Sequence, residues 1–134
     1  MATGIIPSAA ASGATLIWEN SKVDTTFTGQ TISLDLSPYK LIIIFTAGLN
    51  KRAHSTGENQ YNSWVTFVPH SGEPNVFNLM SALWAGGSGL YIANRGTTVT
   101  ETSITFANAT YGASSGSTNT NNDACVPYRI YGIK

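Results

Sequence analysis

The residues of this 134-residue chain that could do chemistry are its acidic residues, histidines and cysteine. Their spacing matches no known arrangement of catalytic or metal-binding residues. A glycosidase needs two carboxylates across a sugar cleft, and a metal site needs ligands at a defined spacing. His54 and His70 both fall in predicted loops with no third ligand nearby, so we expect exposed, non-ligating histidines. The seven carboxylates are scattered: Glu19, Asp24, Asp35, Glu58, Glu73, Glu101 and Asp123. We therefore predict no catalytic, metal-binding or cofactor-binding residue and a protein that is not an enzyme.

Cys125 is the only cysteine, so the chain has no internal disulfide. Free cysteine is among the most buried residue types, which favours a buried and inert thiol. The alternation of the last strand would place Cys125 on one face with Arg129, Tyr131 and Ile133. Pro127 in the same row indicates a strand edge or a bulge that changes this facing.

The composition excludes several classes of protein. Seven basic residues balance seven acidic ones, so no net charge would attract nucleic acid or an anionic membrane. The longest apolar run, Leu41 to Phe45, is far shorter than the roughly 20 residues that span a bilayer. Residues 1–13 lack the features of a secretory signal. Only 10% of residues are charged, against about 25% in typical domains, whereas Ser, Thr and Asn make up about a third.

Short apolar runs with period two recur from Ala14 onward and predict an all-β fold. We expect about eight strands in one domain over residues 14–134, an antiparallel β-sandwich or jelly roll. Residues 1–13 are predicted to form an arm, flexible or ordered by a neighbouring subunit, with Ile5, Ile6 and Pro7 as candidate assembly residues. The predicted strands are Thr15–Trp18, Thr31–Leu36, a fully buried Lys40–Thr46, Tyr61–Val68, Asn75–Trp84, Leu90–Ala93, Thr97–Ala107 and the C-terminal run.

Two segments leave alternatives or suggest a site. Val76, Leu79, Met80, Leu83 and Trp84 also fit the spacing of a helix, although the surrounding order favours a strand. Tyr111–Asp123 is predicted to be a long polar loop, and such loops are often functional. Aromatic rings stack on sugars, whereas core packing is their usual role. The candidate glycan-binding or partner-binding residues are Trp64, Tyr111, Asn119, Asn121, Asn122 and Asp123.

Four segments carry a resemblance: Leu16–Asn20, Gln30–Tyr39, Ile104–Phe106 and Cys125–Lys134. They read as W-x-N, then QTISLDLS-x-Y, and finally C-x-P-x-x-IYGIK. The chain resembles small virion proteins of phages and prophages that infect Gram-positive bacteria, over about residues 14 to 134. The resemblance implies a part of a tail fibre, baseplate or capsid decoration, made in the bacterial cytoplasm.

Three functions from different classes follow as hypotheses. The first is a non-enzymatic virion protein that assembles with other virion proteins and with itself, with a homotrimer favoured, and that assists host attachment. The second is a lectin-like receptor-binding domain that binds a host cell-surface glycan. The third and weakest is a hydrolase acting on cell-wall or capsule polysaccharide.

Overall fold

The computed structural model describes residues 13–22, 25–49, 59–84, 90–113 and 118–134, and these residues form an all-β structure without helix. The predicted arm, with Ile5, Ile6 and Pro7, lies outside the described residues. The nine strands are β1 (Ala14–Glu19), β2 (Gln30–Ser33), β3 (Leu41–Leu49), β4 (Asn59–Phe67), β5 (Asn75–Trp84), β6 (Leu90–Val99), β7 (Ser103–Ala113), β8 (Thr118–Thr120) and β9 (Val126–Ile133).

The strands form two antiparallel sheets. Sheet I has the order β1-β9-β3-β4, and sheet II has the order β2-β7-β6-β5 with β8 also paired to β7. Because β2 pairs with Ser103–Phe106 and β8 pairs with Thr110–Gly112, they lie end to end along the same edge of β7. The predicted all-β class is confirmed; the jelly-roll subtype stays a prediction.

One hydrophobic core joins the inner faces of the two sheets. Ile42 and Ile44 of β3 contribute from sheet I, and Leu79, Ile104 and Phe106 contribute from sheet II, each exposed by 1% or less. The inward residues alternate along β3, β4 and β6, as the period of two predicts. The C-terminal strand β9 is central in sheet I, between β1 and β3, so the chain end is part of the fold.

Asn75–Trp84 is a strand, which settles the alternative between strand and helix. All ten residues of β5 pair with Leu90–Val99 of β6 in an unbroken antiparallel register. The apolar residues of this segment also fit a helical spacing because both faces of β5 carry apolar side chains: Val76 and Met80 point outward, whereas Leu79 points into the core.

Four predictions need correction. Lys40–Thr46 is not fully buried, because Leu41 is exposed and Ile43 and Phe45 are half-buried. Thr97–Ala107 is two strands, since β6 ends at Val99 and a turn leads to β7, where Thr100 N donates to Ser103 O at 2.9 Å. Tyr111–Asp123 is not one loop in its described residues, because β7 runs to Ala113, β8 pairs back on it and residues 121–123 form a turn. The strand predicted over Thr31–Leu36 ends at Ser33.

Candidate functional site

The outer face of sheet I is apolar across all four strands. Val65 lies opposite Ile43, Ile43 opposite Tyr131, and Tyr131 opposite Leu16. Residues directly opposite each other in antiparallel strands share one face of the sheet. A second row runs from Phe67 through Leu41 to Ile133. We call this surface the apolar face, and its members are Leu16, Leu41, Ile43, Phe45, Tyr61, Val65, Phe67, Tyr128, Tyr131 and Ile133.

The most exposed part of the apolar face is the edge strand β4. The exposed fractions of Tyr61, Val65 and Phe67 are 60%, 64% and 59%. Their inward neighbours on the same strand, such as Trp64, are half-buried and pack against the core. Both faces of this strand therefore carry bulky side chains.

Four aromatic rings form a cluster at one end of the apolar face. Tyr128 lies 5.9 Å from Tyr61 and 6.1 Å from Phe45 between ring centroids, and Phe45 lies 5.7 Å from Tyr131. Tyr128 is the extra residue of a bulge in β9, since Phe45 pairs with Arg129 and the next residue of β3 pairs with Pro127. Burial raises the pKa of the Tyr128 hydroxyl above its usual value. The ring pairs are tilted or edge-to-face, which are the favourable geometries for aromatic contacts.

One ion pair lies at this end of the apolar face. Arg129 Nε donates to Glu19 Oε1 at 2.8 Å, and the Arg129 guanidinium carbon lies 5.9 Å from the centre of the Tyr128 ring. Both side chains are about half exposed. Because the two charges neutralise each other, they add no net charge to the apolar face.

The outer face of sheet II has the opposite character. One row runs from Thr31 through Thr105 and Thr98 to Val76, and the Thr31 and Thr105 hydroxyls are hydrogen-bonded at 2.9 Å. A second row runs through Thr120, Thr110, Asn94 and Met80. The outer face of sheet II is therefore mainly polar, although Val76 and Met80 are exposed on its edge strand β5, whereas the outer face of sheet I is mainly apolar.

A groove of about 440 Å³ lies where β4 and β5, the last strands of the two sheets, approach each other. Asn75 spans it, donating through Nδ2 to Thr66 Oγ1 and, at 3.4 Å, to the carbonyl oxygen of Phe67. Trp64 contributes part of the wall, and its indole Nε1 is buried without a hydrogen bond. The lining residues are Leu41, Trp64, Val65, Thr66, Phe67, Asn75, Phe77 and Asn78.

The other predicted binding residues lie far from Trp64 in the fold, since β8 and β7 are at the opposite side of sheet II from β5. Tyr111 stacks on Tyr91 with centroids 5.2 Å apart, and burial raises the pKa of the Tyr111 hydroxyl. Asn119 pairs with Tyr111 in the hairpin and is exposed. The structure does not bring Trp64 and these residues into one site.

Asn121, Asn122 and Asp123 make hydrogen bonds within their own turn and to its neighbours. Asn122 Oδ1 accepts from Ala109 N at 2.9 Å, and Asn121 Oδ1 accepts from Asp123 N at 3.1 Å. Asp123 is buried, and its Oδ1 accepts from the Thr26 hydroxyl at 2.6 Å. These contacts fasten the turn to β7 and to the segment before β2.

Arg95 is the central residue of this region, and the sequence reasoning missed it. Its side chain is fully buried, and the guanidinium carbon lies 5.1 Å from the centre of the Phe27 ring. The side chains of β6 that point inward are Ala93, Arg95, Thr97 and Val99. This alternation in the sequence was the available signal that Arg95 is buried. The guanidinium donates to four backbone carbonyls: Ala107 at 2.6 Å, Cys125 at 3.0 Å, Ala124 at 3.1 Å and Asn122 at 3.3 Å.

The groups that could do chemistry are dispersed. Within the described ranges, no three His, Cys, Asp or Glu side chains are grouped so as to hold a metal ion. His70 is exposed, as predicted, and contacts Glu101, while Asp35 accepts from the Ser37 hydroxyl at 2.6 Å, which lowers the pKa of its carboxyl. Cys125 is buried, as predicted, and burial raises the pKa of its thiol to about 11. His54, Asp24 and Glu58 lie outside the described residues.

Comparison of the chain with protein-family models and with curated proteins found no match. In the part of the chain that the structure describes, no helix has the length and hydrophobicity needed to cross a bilayer.

Proposed function

We propose that this protein is a non-enzymatic structural or accessory component of a phage virion, which acts by packing against other protein subunits. The observation that carries the proposal is the apolar outer face of sheet I beside the polar outer face of sheet II. Contiguous exposed apolar patches of this kind mark protein interaction sites. A sandwich that was complete as a monomer would alternate apolar and polar residues on both of its sheets.

The sequence supports the virion setting. The W-x-N, QTISLDLS-x-Y and C-x-P-x-x-IYGIK segments resemble small phage virion proteins, and the charge content is low. Within this proposal the chain forms a symmetric homo-oligomer, with a trimer favoured, and attaches to a tail fibre, baseplate or capsid. The arm with Ile5, Ile6 and Pro7 is its proposed attachment to neighbouring virion proteins.

The test is to purify phage particles from a lysate of the strain that carries the gene and to analyse them by mass spectrometry and antibody labelling. We expect the protein to co-purify with intact particles in a fixed ratio to the major capsid protein, at a discrete location. Its absence from particles that form normally would contradict the virion proposal.

The groove between β4 and β5 favours glycan binding as a second function. Aromatic rings beside side-chain amides match the chemistry of a sugar ring, which has an apolar face and a hydroxyl edge. Phe77, Asn75 and Asn78 supply these groups on β5. Asn78 is exposed, whereas Asn121 and Asn122 of the predicted loop, like Asn75 in the groove, make internal hydrogen bonds. We therefore propose Phe77 and Asn78 as the sugar contacts.

Binding of the protein to purified cell-wall polysaccharide tests this second function. We expect Asn78→Ala to weaken binding about 10-fold, which corresponds to the loss of one hydrogen bond. Asn119→Ala, an exposed amide of β8, is the matched control and should leave binding unchanged. If Asn119→Ala abolishes binding and Asn78→Ala does not, the hairpin is the site; no binding by the unaltered protein would remove the function.

A further inference from the structure

We infer that the apolar face of sheet I is the surface through which copies of this chain pack against one another. The inference deepens the proposed function and rests on it for the idea that the chain assembles. It assigns that assembly to a defined surface and to one partner, a second copy of the same chain.

The sequence of β3 is that of a strand buried on both sides. Leu41 to Phe45 is a continuous apolar run, and such runs are typical of strands that are covered on both faces of a sheet. In the structure, sheet II covers only the inner side, where Ile42 and Ile44 have no exposed surface. Leu41, Ile43 and Phe45 on the other side are covered by nothing from sheet II. A second subunit packed over this side would bury these residues, as the continuous apolar sequence of β3 predicts.

The size of the apolar face fits a subunit interface. Four strands about 4.8 Å apart are about 19 Å across, and the 8 residues of β9 at about 3.3 Å each span about 26 Å. The whole outer face of sheet I therefore covers about 500 Å². Two such surfaces in contact bury about 1,000 Å², which is the lower limit of specific and stable interfaces. Contacts at the rim would add to this area.

The charge of the apolar face favours a second copy over a charged partner. The only ion pair on it, Arg129 with Glu19, is internal and neutral. A face that meets its own copy must avoid like-charge contacts, and an apolar surface without net charge meets this condition automatically. A nucleic acid or a strongly charged protein would find no complementary charge there.

The aromatic side chains of the apolar face suit a protein interface. Tyr and Phe are enriched in interface cores, where rigid rings bury large areas at a low entropy cost. Tyr61 and Phe67 stand exposed at opposite ends of β4, with Val65 between them. These three side chains would be covered when two copies pack face to face.

Sedimentation velocity over about 1 to 100 µM tests the inference, with Val65→Thr combined with Phe67→Thr as the disrupting variant. Threonine keeps the strand preference and leaves the fold intact, because both positions are exposed. Val76→Thr is the matched control, since Val76 is exposed by 67%, as much as Val65, but lies on sheet II. Circular dichroism and thermal unfolding verify that all three proteins fold.

We expect the unaltered protein and Val76→Thr to form a dimer in this range, because one face that meets its own copy closes as a two-fold pair. A trimer, the state favoured from the sequence, would need a different contact and would overturn the face-to-face packing. The double variant should dissociate at least about 100-fold more readily, because each lost contact occurs in every copy. A monomer at about 100 µM would overturn the inference and would assign the apolar face to residues 1–12 or to another protein. An oligomer that the double variant leaves intact, or that Val76→Thr also disrupts, would overturn it equally.

The outcome is separable from that of the proposed function. A monomeric protein found in phage particles would refute self-assembly through the apolar face and leave the virion role standing. An oligomer that dissociates as expected, from a protein absent from particles, would leave the inference standing and refute the virion role.

Discussion

Arg95 Nε donates a hydrogen bond of 3.0 Å to the carbonyl oxygen of Cys125, a residue that has a left-handed backbone with φ of 47°. A residue other than glycine is uncommon in this region and is held there by its surroundings. The same guanidinium donates to the carbonyls of Asn122 and Ala124, which precede this residue in the turn. Arg95 therefore holds the turn that leads into β9, the strand that lies between β1 and β3 in sheet I.

Replacing Arg95 by Met should destabilise the protein by about 3 kcal/mol or more. Four carbonyl groups would lose their charge-assisted donor while remaining shielded from water. Burial lowers the pKa of Arg95 to about 10, so the side chain is still charged at neutral pH. Urea unfolding followed by circular dichroism measures the effect. Arg129→Met is the matched control and should cost less than about 1 kcal/mol, because its ion pair is exposed; equal losses at both positions would contradict the central role of Arg95.

The thiol of Cys125 should be unreactive in the folded protein. Burial raises its pKa to about 11, so the thiolate that attacks disulfide reagents is scarce at about pH 8. The side chain is also enclosed, with Sγ 3.7 Å from the carbonyl oxygen of Ala93. We expect labelling by a thiol reagent at least about 100-fold slower than in urea, since it requires opening of the fold. Rapid labelling without denaturant would contradict the buried placement.

Gly132→Ala should destabilise the protein through a clash with Tyr39. A β-carbon built at Gly132 would lie 2.6 Å from Cε1 of the Tyr39 ring, and overpacking of this kind costs about 1 to 3 kcal/mol. Gly96→Ala in β6 is the control, because its nearest neighbour would be Ala107 Cβ at an ordinary 3.5 Å. Thermal unfolding should show a lower midpoint for Gly132→Ala alone. Tyr39→Ala in the Gly132→Ala background should cost less than Tyr39→Ala alone, and simple additivity would refute the clash.

The sequence predicts the class of fold because period-two alternation is local information. Thr15–Trp18 and Tyr61–Val68 correspond closely to β1 and β4. The turn after Val99 escaped prediction because it uses Thr100 hydroxyl hydrogen bonds to Ser103 in place of glycine, proline or asparagine. Alternation also does not show what covers each face of a strand. The apolar run of β3 therefore predicted full burial, although among the described residues Leu41 is exposed and Ile43 and Phe45 are half-buried.

The candidate sites were less predictable than the fold because they depend on which segments meet. Trp64 was singled out from the sequence, but its groove requires Phe77 and Asn78 from the other sheet. The polar stretch ending at Asp123 looked like a free loop, because its Asn and Asp side chains are equally suited to binding ligands and to fastening a turn. Only the positions of Ala109 and Thr26 show that they fasten the turn.

His70 should stabilise the protein more at acidic than at alkaline pH. Its Nδ1 lies 3.0 Å from Glu101 Oε1 and its Nε2 lies 3.1 Å from the carbonyl oxygen of Tyr39. Because both neighbours are acceptors, only the protonated imidazole donates to both, and the hydrogen bond to Glu101 is the main cause that raises the pKa of His70. A pKa raised on folding gives stabilisation that is complete below the unfolded pKa of about 6.5 and is lost as pH rises through the folded pKa.

The thermal midpoints of the unaltered protein and of His70→Gln, at about pH 5 and about pH 8.5, test this linkage. We expect the variant to be less stable at the lower pH and nearly equal to the unaltered protein at the higher one. The effect should be small, because both side chains of the pair are about half exposed. Glu101→Gln is the partner control and should reduce the same difference between the two proteins at the lower pH. A difference between the two proteins that is the same at both values of pH would show that His70 acts through packing and not through its charge.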